Sequence, residues 1–294
     1  MKSLRVLIVD DDRDFAESLA GLRKSLALLA AVFFIFPLPG QAADLTLGGT
    51  GGALGAMKML GARFTENNPG DSVKVLPSLG SGGGIKAVLA GAIDIGLSAR
   101  PLKAKERDAG ARAHPYAKSA LVFATQPDNP EVGVTTEQLI EIYAGARRRW
   151  PDGTPIRIVL RPDTDSDTIH LKGYIPSIGP ALDAAADRPG IPVAFTAQDA
   201  ADLLQRLPGG LGTTMLALIL SENRSLKALS LDGVAPTPEA MADGSYRLTK
   251  TYSIVTGPAP GELAKRFIAF VYSDEGAAIL RRTGHLPLAP EGGQ

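Results

Sequence analysis

From residue 44 onward the 294-residue chain predicts an α/β fold, a mainly parallel sheet with helices on its faces. Short aliphatic, β-branched runs alternate with stretches whose apolar residues recur every three or four positions, and Gly- and Pro-rich breaks separate them. Residues 44–294 are also long enough for two lobes.

The elements follow in order. Residues 45–47 form a short strand. Gly48, Gly49, Thr50, Gly51 and Gly52 make a turn into a helix with the stripe Leu54, Met57, Leu60 and Phe64. Residues 67–71, with Pro69 and Gly70, are a turn, and 73–76 a second strand. Gly80, Ser81, Gly82, Gly83 and Gly84 make a second Gly-rich turn, after which Ile85, Val88 and Leu89 begin a second helix. Strands at 93–97, 120–125 and 156–160 and a helix at 136–143 continue the pattern. No repeat of solenoid period is present.

Composition narrows the function. Lys and Arg (31) balance Asp and Glu (31), which argues against general nucleic-acid binding. Without Cys there is no disulfide, thiolate metal site or cysteine chemistry, and three scattered His (His114, His170, His285) give no ligand spacing. Neither a metal nor a cofactor is expected. Those histidines are read as surface or capping residues, and Arg147, Arg148 and Arg149 as a solvated helix end.

The N-terminus reads as two pieces. Residues 23–43 resemble a secretory signal: Arg23 and Lys24, an apolar run over 26–36 ended by Pro37 and Pro39, then small residues before Ala42 and Ala43. The run is about half the roughly 20 residues of a membrane span. Residues 1–22 resemble the first strand and helix of a response-regulator receiver domain, with Asp10, Asp11 and Asp12 after an apolar strand. A strand without sheet partners is not stable alone, so this fragment is not read as a functional domain.

Both Gly-rich loops open helices, where unpaired N–H groups and partial positive charge suit an anion, and Thr50 and Ser81 add hydroxyls. Neither loop has the form of a nucleoside-triphosphate or dinucleotide motif. A third segment, RPDTDSDT from Arg161 to Thr168, follows a strand and joins an arginine fork to Ser166 and Thr168. An ordinary N-cap cluster is the plainer reading of that segment. Asp163, Asp165 and Asp167 would repel an anion unless they turn outward or hold Arg161.

With GSGGGIKAVLAGAIDIG and the later DGVAPTPEAMADGSYRLT, the chain resembles the phosphate-type substrate-binding proteins of ABC transporters over most of residues 44–294. The resemblance implies a two-lobed periplasmic-binding-protein fold of the second topological class. Each lobe is a mixed sheet flanked by helices, and the ligand cleft lies between them. Lobe one would comprise 44–122 plus 249–294, and lobe two 123–248. It implies a monomer, not an enzyme, that binds phosphate in the periplasm and delivers it to a membrane permease. A sensor reporting to a membrane kinase, or a binder of sulfate, molybdate or tungstate, are the alternatives. Carried over by motif, Thr50 and Gly51 form the first oxyanion loop, Ser81, Gly82 and Gly83 the second, and Ser166, Asp167 and Thr168 the third. Arg161 matches the anion-pairing arginine. The sequence departs from the family at Asp167, where Gly is usual, and after Ser98, where Ala99 and Arg100 replace an Asp that accepts the phosphate proton in some members. Arg100 is therefore a second candidate for the charge partner.

Cleavage after Ala42 places small residues at both recognition positions, so the exported protein is expected to begin at Ala43, or at Asp44 as second choice. N-terminal sequencing of secreted material checks this; recovery of residues 1–22 would overturn it.

Overall fold

The protein is described here by a computed structural model covering residues 43–290. The receiver-like fragment and all of the expected signal segment except Ala43 lie outside the described residues. The described residues open with β1 (Ala43–Gly49), α1 (Gly51–Asn67), β2 (Asp71–Val75), α2 (Gly80–Leu89) and β3 (Ile95–Ser98). Then come α3 (Ala104–Asp108), β4 (Arg112–Thr125), β5 (Gly133–Val134), α4 (Thr136–Ala144), β6 (Arg157–Val159) and α5 (Ser166–Tyr174). After a 3₁₀ turn at Pro176–Ile178 follow α6 (Gly179–Ala186), α7 (Ala197–Arg206), β7 (Gly210–Met215), α8 (Leu216–Ser221), β8 (Lys227–Ala228) and β9 (Ser230–Leu231). The chain ends with α9 (Pro238–Ala242), β10 (Thr249–Thr256), α10 (Glu262–Val271), α11 (Asp274–Arg282) and β11 (His285–Pro287).

The sheet is mixed rather than mainly parallel. Its order is β2-β1-β3-β10-β4-β7-β6, with β11 and β8 also paired to β4. β1 runs parallel to β2 and β3, and β6 parallel to β7, whereas β10 is antiparallel to both β3 and β4. β4 joins two sets of partners. Its first part, to Ala120, pairs with β10 and β11, and from Leu121 on it pairs with β7 and β8. Sequence reasoning placed this strand only at 120–125 because His114 and Pro115 interrupt its apolar run. Pro115 lacks an N–H, and it sits where the β4–β10 register shifts between Tyr252 and Ser253.

Helix α1 buries its predicted stripe, Leu54, Met57, Leu60 and Phe64. The Phe64 ring meets Phe267 of α10 edge-on at 5.4 Å, so α10 packs on α1. The second Gly-rich segment is not a turn: Gly80 to Gly84 is the first turn of α2. The glycines are there for proximity. A Cβ on Gly84 would lie 2.7 Å from both the Gly48 carbonyl oxygen and the Gly49 Cα. Bare backbone thus brings the N-terminal end of α2 down onto the end of β1.

Gly84→Val should therefore destabilise the protein by about 1–3 kcal/mol, since only main chain could give way. Denaturant unfolding checks this, and a midpoint equal to wild type would disprove the close-approach role.

Candidate functional site

A cavity of about 200 Å³ opens where four helix N-termini meet. Thr50, Gly51 and Gly52 come from α1, Leu79, Gly80 and Ser81 from α2, and Arg161, Asp165, Ser166 and Asp167 from the α5 entry. The start of α7, with Phe195, Thr196 and Ala197, closes it.

These four ends differ chemically. Helices α1 and α2 have no side-chain cap: Thr50 makes no capping bond, and the N-cap of α2 is Leu79, which has no acceptor to offer. Their first N–H groups need an outside acceptor. Helices α5 and α7 cap themselves, through Asp165 accepting from the Asp167 N–H and Thr196 accepting from the Asp199 N–H. The α7 contribution was missed from sequence, although Thr196 followed three residues later by Asp199 is a legible capping box.

The hydroxyls are oriented. Ser81 Oγ is buried and accepts the Ala99 N–H at 3.0 Å, which leaves its own hydrogen to be donated. Ser166 Oγ accepts from Lys250 Nζ at 2.7 Å, with the same consequence. Thr168 is buried, but its hydroxyl faces the Arg161 carbonyl at 3.4 Å and lines a neighbouring pocket instead.

Arg161 is the cavity's guanidinium. Its side chain is only 5% exposed. It donates to the Ala194 carbonyl at 2.8 Å and to Asp165 at 2.7 Å, while its Nε–H is buried without an acceptor. Arg100 lines a different pocket. It grips Glu106 with two bonds, at 2.7 and 2.9 Å. Ser98 belongs to that loop too, donating to the Arg100 carbonyl at 2.8 Å. Gly82 and Gly83 lie further along the first turn of α2 and are absent from the cavity wall.

The three acids of the RPDTDSDT segment each have a cation. Asp163 is exposed and pairs with Lys172 at 3.0 Å. Asp165 holds Arg161. Asp167, on the cavity wall, pairs with Lys250 of β10, whose side chain is 2% exposed. Burial by itself would push the Asp167 carboxyl up; the Lys250 ammonium, with Arg161 beyond it, outweighs this and holds it below the usual range. Lys250 went unnoticed in the sequence. Strand alternation puts it on the same buried face as Tyr252 and Ile254, and a lysine there requires a partner. Tyr252 stands beside it with a buried, unpartnered hydroxyl where a Gly52 Cβ would be.

His285 is not a surface residue. It is fully buried between the rings of Tyr116 and Tyr252, and burial lowers its pKa to about 4. His170 is half-buried beside Lys250 and is also lowered, chiefly by burial. Among the described residues, no group of three or more His, Cys, Asp or Glu could hold a metal ion, and no helix is long and apolar enough to cross a membrane.

This architecture has relatives. The model of a family described as the PBP superfamily domain matches residues 38–275. The chain belongs to that superfamily. It is 28% identical to the phosphate-binding protein PstS of Bacillus subtilis over 257 residues, 83% of this chain and 81% of the relative. A putative phosphate ABC transporter substrate-binding protein from Clostridium perfringens, solved with bound phosphate, superposes with a TM-score of 0.72 at 23% identity, covering 83% of this chain and 99% of that one. An ABC-type phosphate transport receptor from Vibrio cholerae gives 0.58 at 21% identity, over 82% and 99%. The expected two-lobed α/β fold is the one these structures share.

The Arg100–Glu106 grip predicts an acid-side loss of stability. Bonds from Arg100 first, and the Lys103 N–H, hold the Glu106 carboxyl at about 2, below its ordinary 4.5. The folded pKa is depressed, so the contribution is complete above about pH 4.5 and is lost as pH falls toward 2. Glu106→Gln should cost about 1–3 kcal/mol at pH 7 and flatten the stability profile between those limits. Urea midpoints across pH 2–7 check this; an unchanged slope would refute it.

Proposed function

We propose that this chain is a periplasmic receptor, exported through a cleaved signal peptide, that binds a small oxyanion, inorganic phosphate first, and delivers it to the membrane permease of an ABC transporter. The observation that carries this reading is a cavity lined by Arg161 at which two helix ends have no side-chain cap. A tetrahedral oxyanion supplies the missing acceptors. Thr50, Gly51, Ser81, Ser166 and Arg161 would contact it directly. Similarity to PstS proteins supports phosphate as the ligand.

Asp167 extends the reading. It takes the position where the family usually has Gly, and its Oδ1 accepts from Lys250. Its other oxygen can accept the proton of hydrogen phosphate, the role for which Ala99 offers no carboxylate. A buried acceptor of this kind repels an anion with no proton to share.

Binding, not hydrolysis, suits the groups present. Ser166 touches Lys250, but that ammonium is ion-paired with Asp167, whereas a serine nucleophile needs a neighbour free to take its proton.

The lobes are assigned as 44–122 plus 249–294 and 123–248. The change of partners along β4 near Ala120, and the start of β10 at Thr249, support these limits.

Calorimetry tests the site. Ser81→Ala should weaken phosphate binding about tenfold to a hundredfold, since a hydrogen bond to a charged group contributes about 1.5–3 kcal/mol. Arg161→Ala should cost more, and Arg100→Ala far less. Wild-type affinity in both Ser81→Ala and Arg161→Ala would place the site elsewhere. Affinity should rise between about pH 6 and 8 as phosphate gains its second charge. A flat profile, with sulfate or molybdate bound as well as phosphate, would assign the cavity to a fully ionised oxyanion.

A further inference from the structure

A second concave surface carries an unusual concentration of charge. A groove of about 660 Å³ between the end of α4, β6 and the 188–192 segment is lined by Arg147, Arg148, Arg149, Arg157 and Arg188, with no Asp, Glu or Lys on its wall. It shares no lining residue with the Arg161 cavity. In a chain of zero net charge, five guanidinium groups around one depression call for an explanation.

Four of the five arginines are pinned in place by the backbone rather than by carboxylates. Arg148 donates to the Gly145 carbonyl, Arg149 to Gly153 and Arg188 to Tyr143, each at 2.7 Å, and Arg157 donates to Pro208 at 2.6 Å. Each of these four spends one N–H in this way and keeps the rest of its fork. Among the described residues, the single carboxylate within ion-pair distance of the five is Glu131, 3.8 Å from Arg147. The Nε–H of Arg188 is buried without an acceptor. Gly145, in the left-handed region at φ +82°, leaves the space this guanidinium fills: a Cβ there would lie 2.0 Å from it.

Cations at the end of α4 would account for Arg148 and Arg188 by complementing the helix dipole. They do not account for Arg149 and Arg157, which are anchored to other loops and face the same groove. A wall of arginines and apolar residues, with no charged residue besides the arginines, suits the paired oxygens of phosphoryl groups, which a planar fork meets two at a time. The arginines come from three segments, 147–149, 157 and 188, and a chain of linked phosphoryl groups offers each of them its own pair of oxygens.

We propose that this groove is a second anion site, for a soluble ligand of several linked phosphoryl groups such as a short inorganic polyphosphate. The site is separate from the orthophosphate cavity and does not depend on the identity of the anion held there.

Calorimetric titration of tripolyphosphate into the full-length chain, already saturated with orthophosphate, tests it. One additional site is expected, weakening as salt rises. Arg149→Ala and Arg157→Ala should each reduce its affinity about tenfold or more, leaving orthophosphate binding unchanged. Arg149→Lys should recover part of the loss, because it keeps the charge without the fork. Both positions are exposed, and thermal melts verify that the variants fold. Absence of tripolyphosphate binding, or variants that bind it like wild type, would overturn the proposal. Flotation with phosphatidylglycerol vesicles separates the other source of phosphoryl groups: vesicle binding without tripolyphosphate binding would make the groove a membrane contact and would also overturn it.

Discussion

Arg161 and Lys250 bring two full positive charges into a nearly dry part of the fold, and the arrangement around the cavity follows from the need to balance them. An unpaired buried charge costs several kcal/mol, so each cation has a carboxylate: Asp165 for Arg161 and Asp167 for Lys250. The balance is local. Asp165 lies four residues after Arg161 and at the same time caps α5, so one side chain fixes both the arginine and the helix entry. Lys250 arrives from a distant strand and ties β10 to the first turn of α5.

Helix ends complete the arrangement. An anion site built only from charges would attract any counter-ion, whereas main-chain N–H groups impose direction and distance. Here α1 and α2 offer uncapped ends, while α5 and α7 satisfy their own. The division is chemically sensible: the self-capped ends belong to the segments that bring carboxylates near the cavity, and the open ends belong to glycine-rich segments with no acid in the first turn. Gly84 lets α2 sit directly against the end of β1, so that both open ends point into one space.

The strands β4 and β10 set how these groups meet. β4 serves one set of sheet partners to Ala120 and another from Leu121, and β10 begins beside that same point with Thr249 opposite Ala120. Lys250 is therefore anchored at the junction of the two halves of the sheet. Its pairing with Asp167 joins that junction to the first turn of α5.

The sequence alone determined the alternation of strands and helices, the apolar stripe of α1, the two glycine-rich helix entries and the third segment at Arg161. These are local properties: a helical period, a missing Cβ and a capping pattern are written in consecutive residues. Its resemblance to phosphate-type binding proteins supplied the two-lobed fold. Tertiary structure decided what depends on partners far apart in the chain. It gave the guanidinium of the cavity to Arg161 and tied Arg100 to Glu106. It buried His285 between two tyrosines, and it made Lys250 the neighbour of Ser166 and Asp167, 84 and 83 residues away. It also added α7 to the cavity and ran β4 back through Pro115 to Arg112. No local pattern reports that Lys250 will meet Asp167, because that choice is fixed only when the sheet brings distant segments within hydrogen-bonding distance.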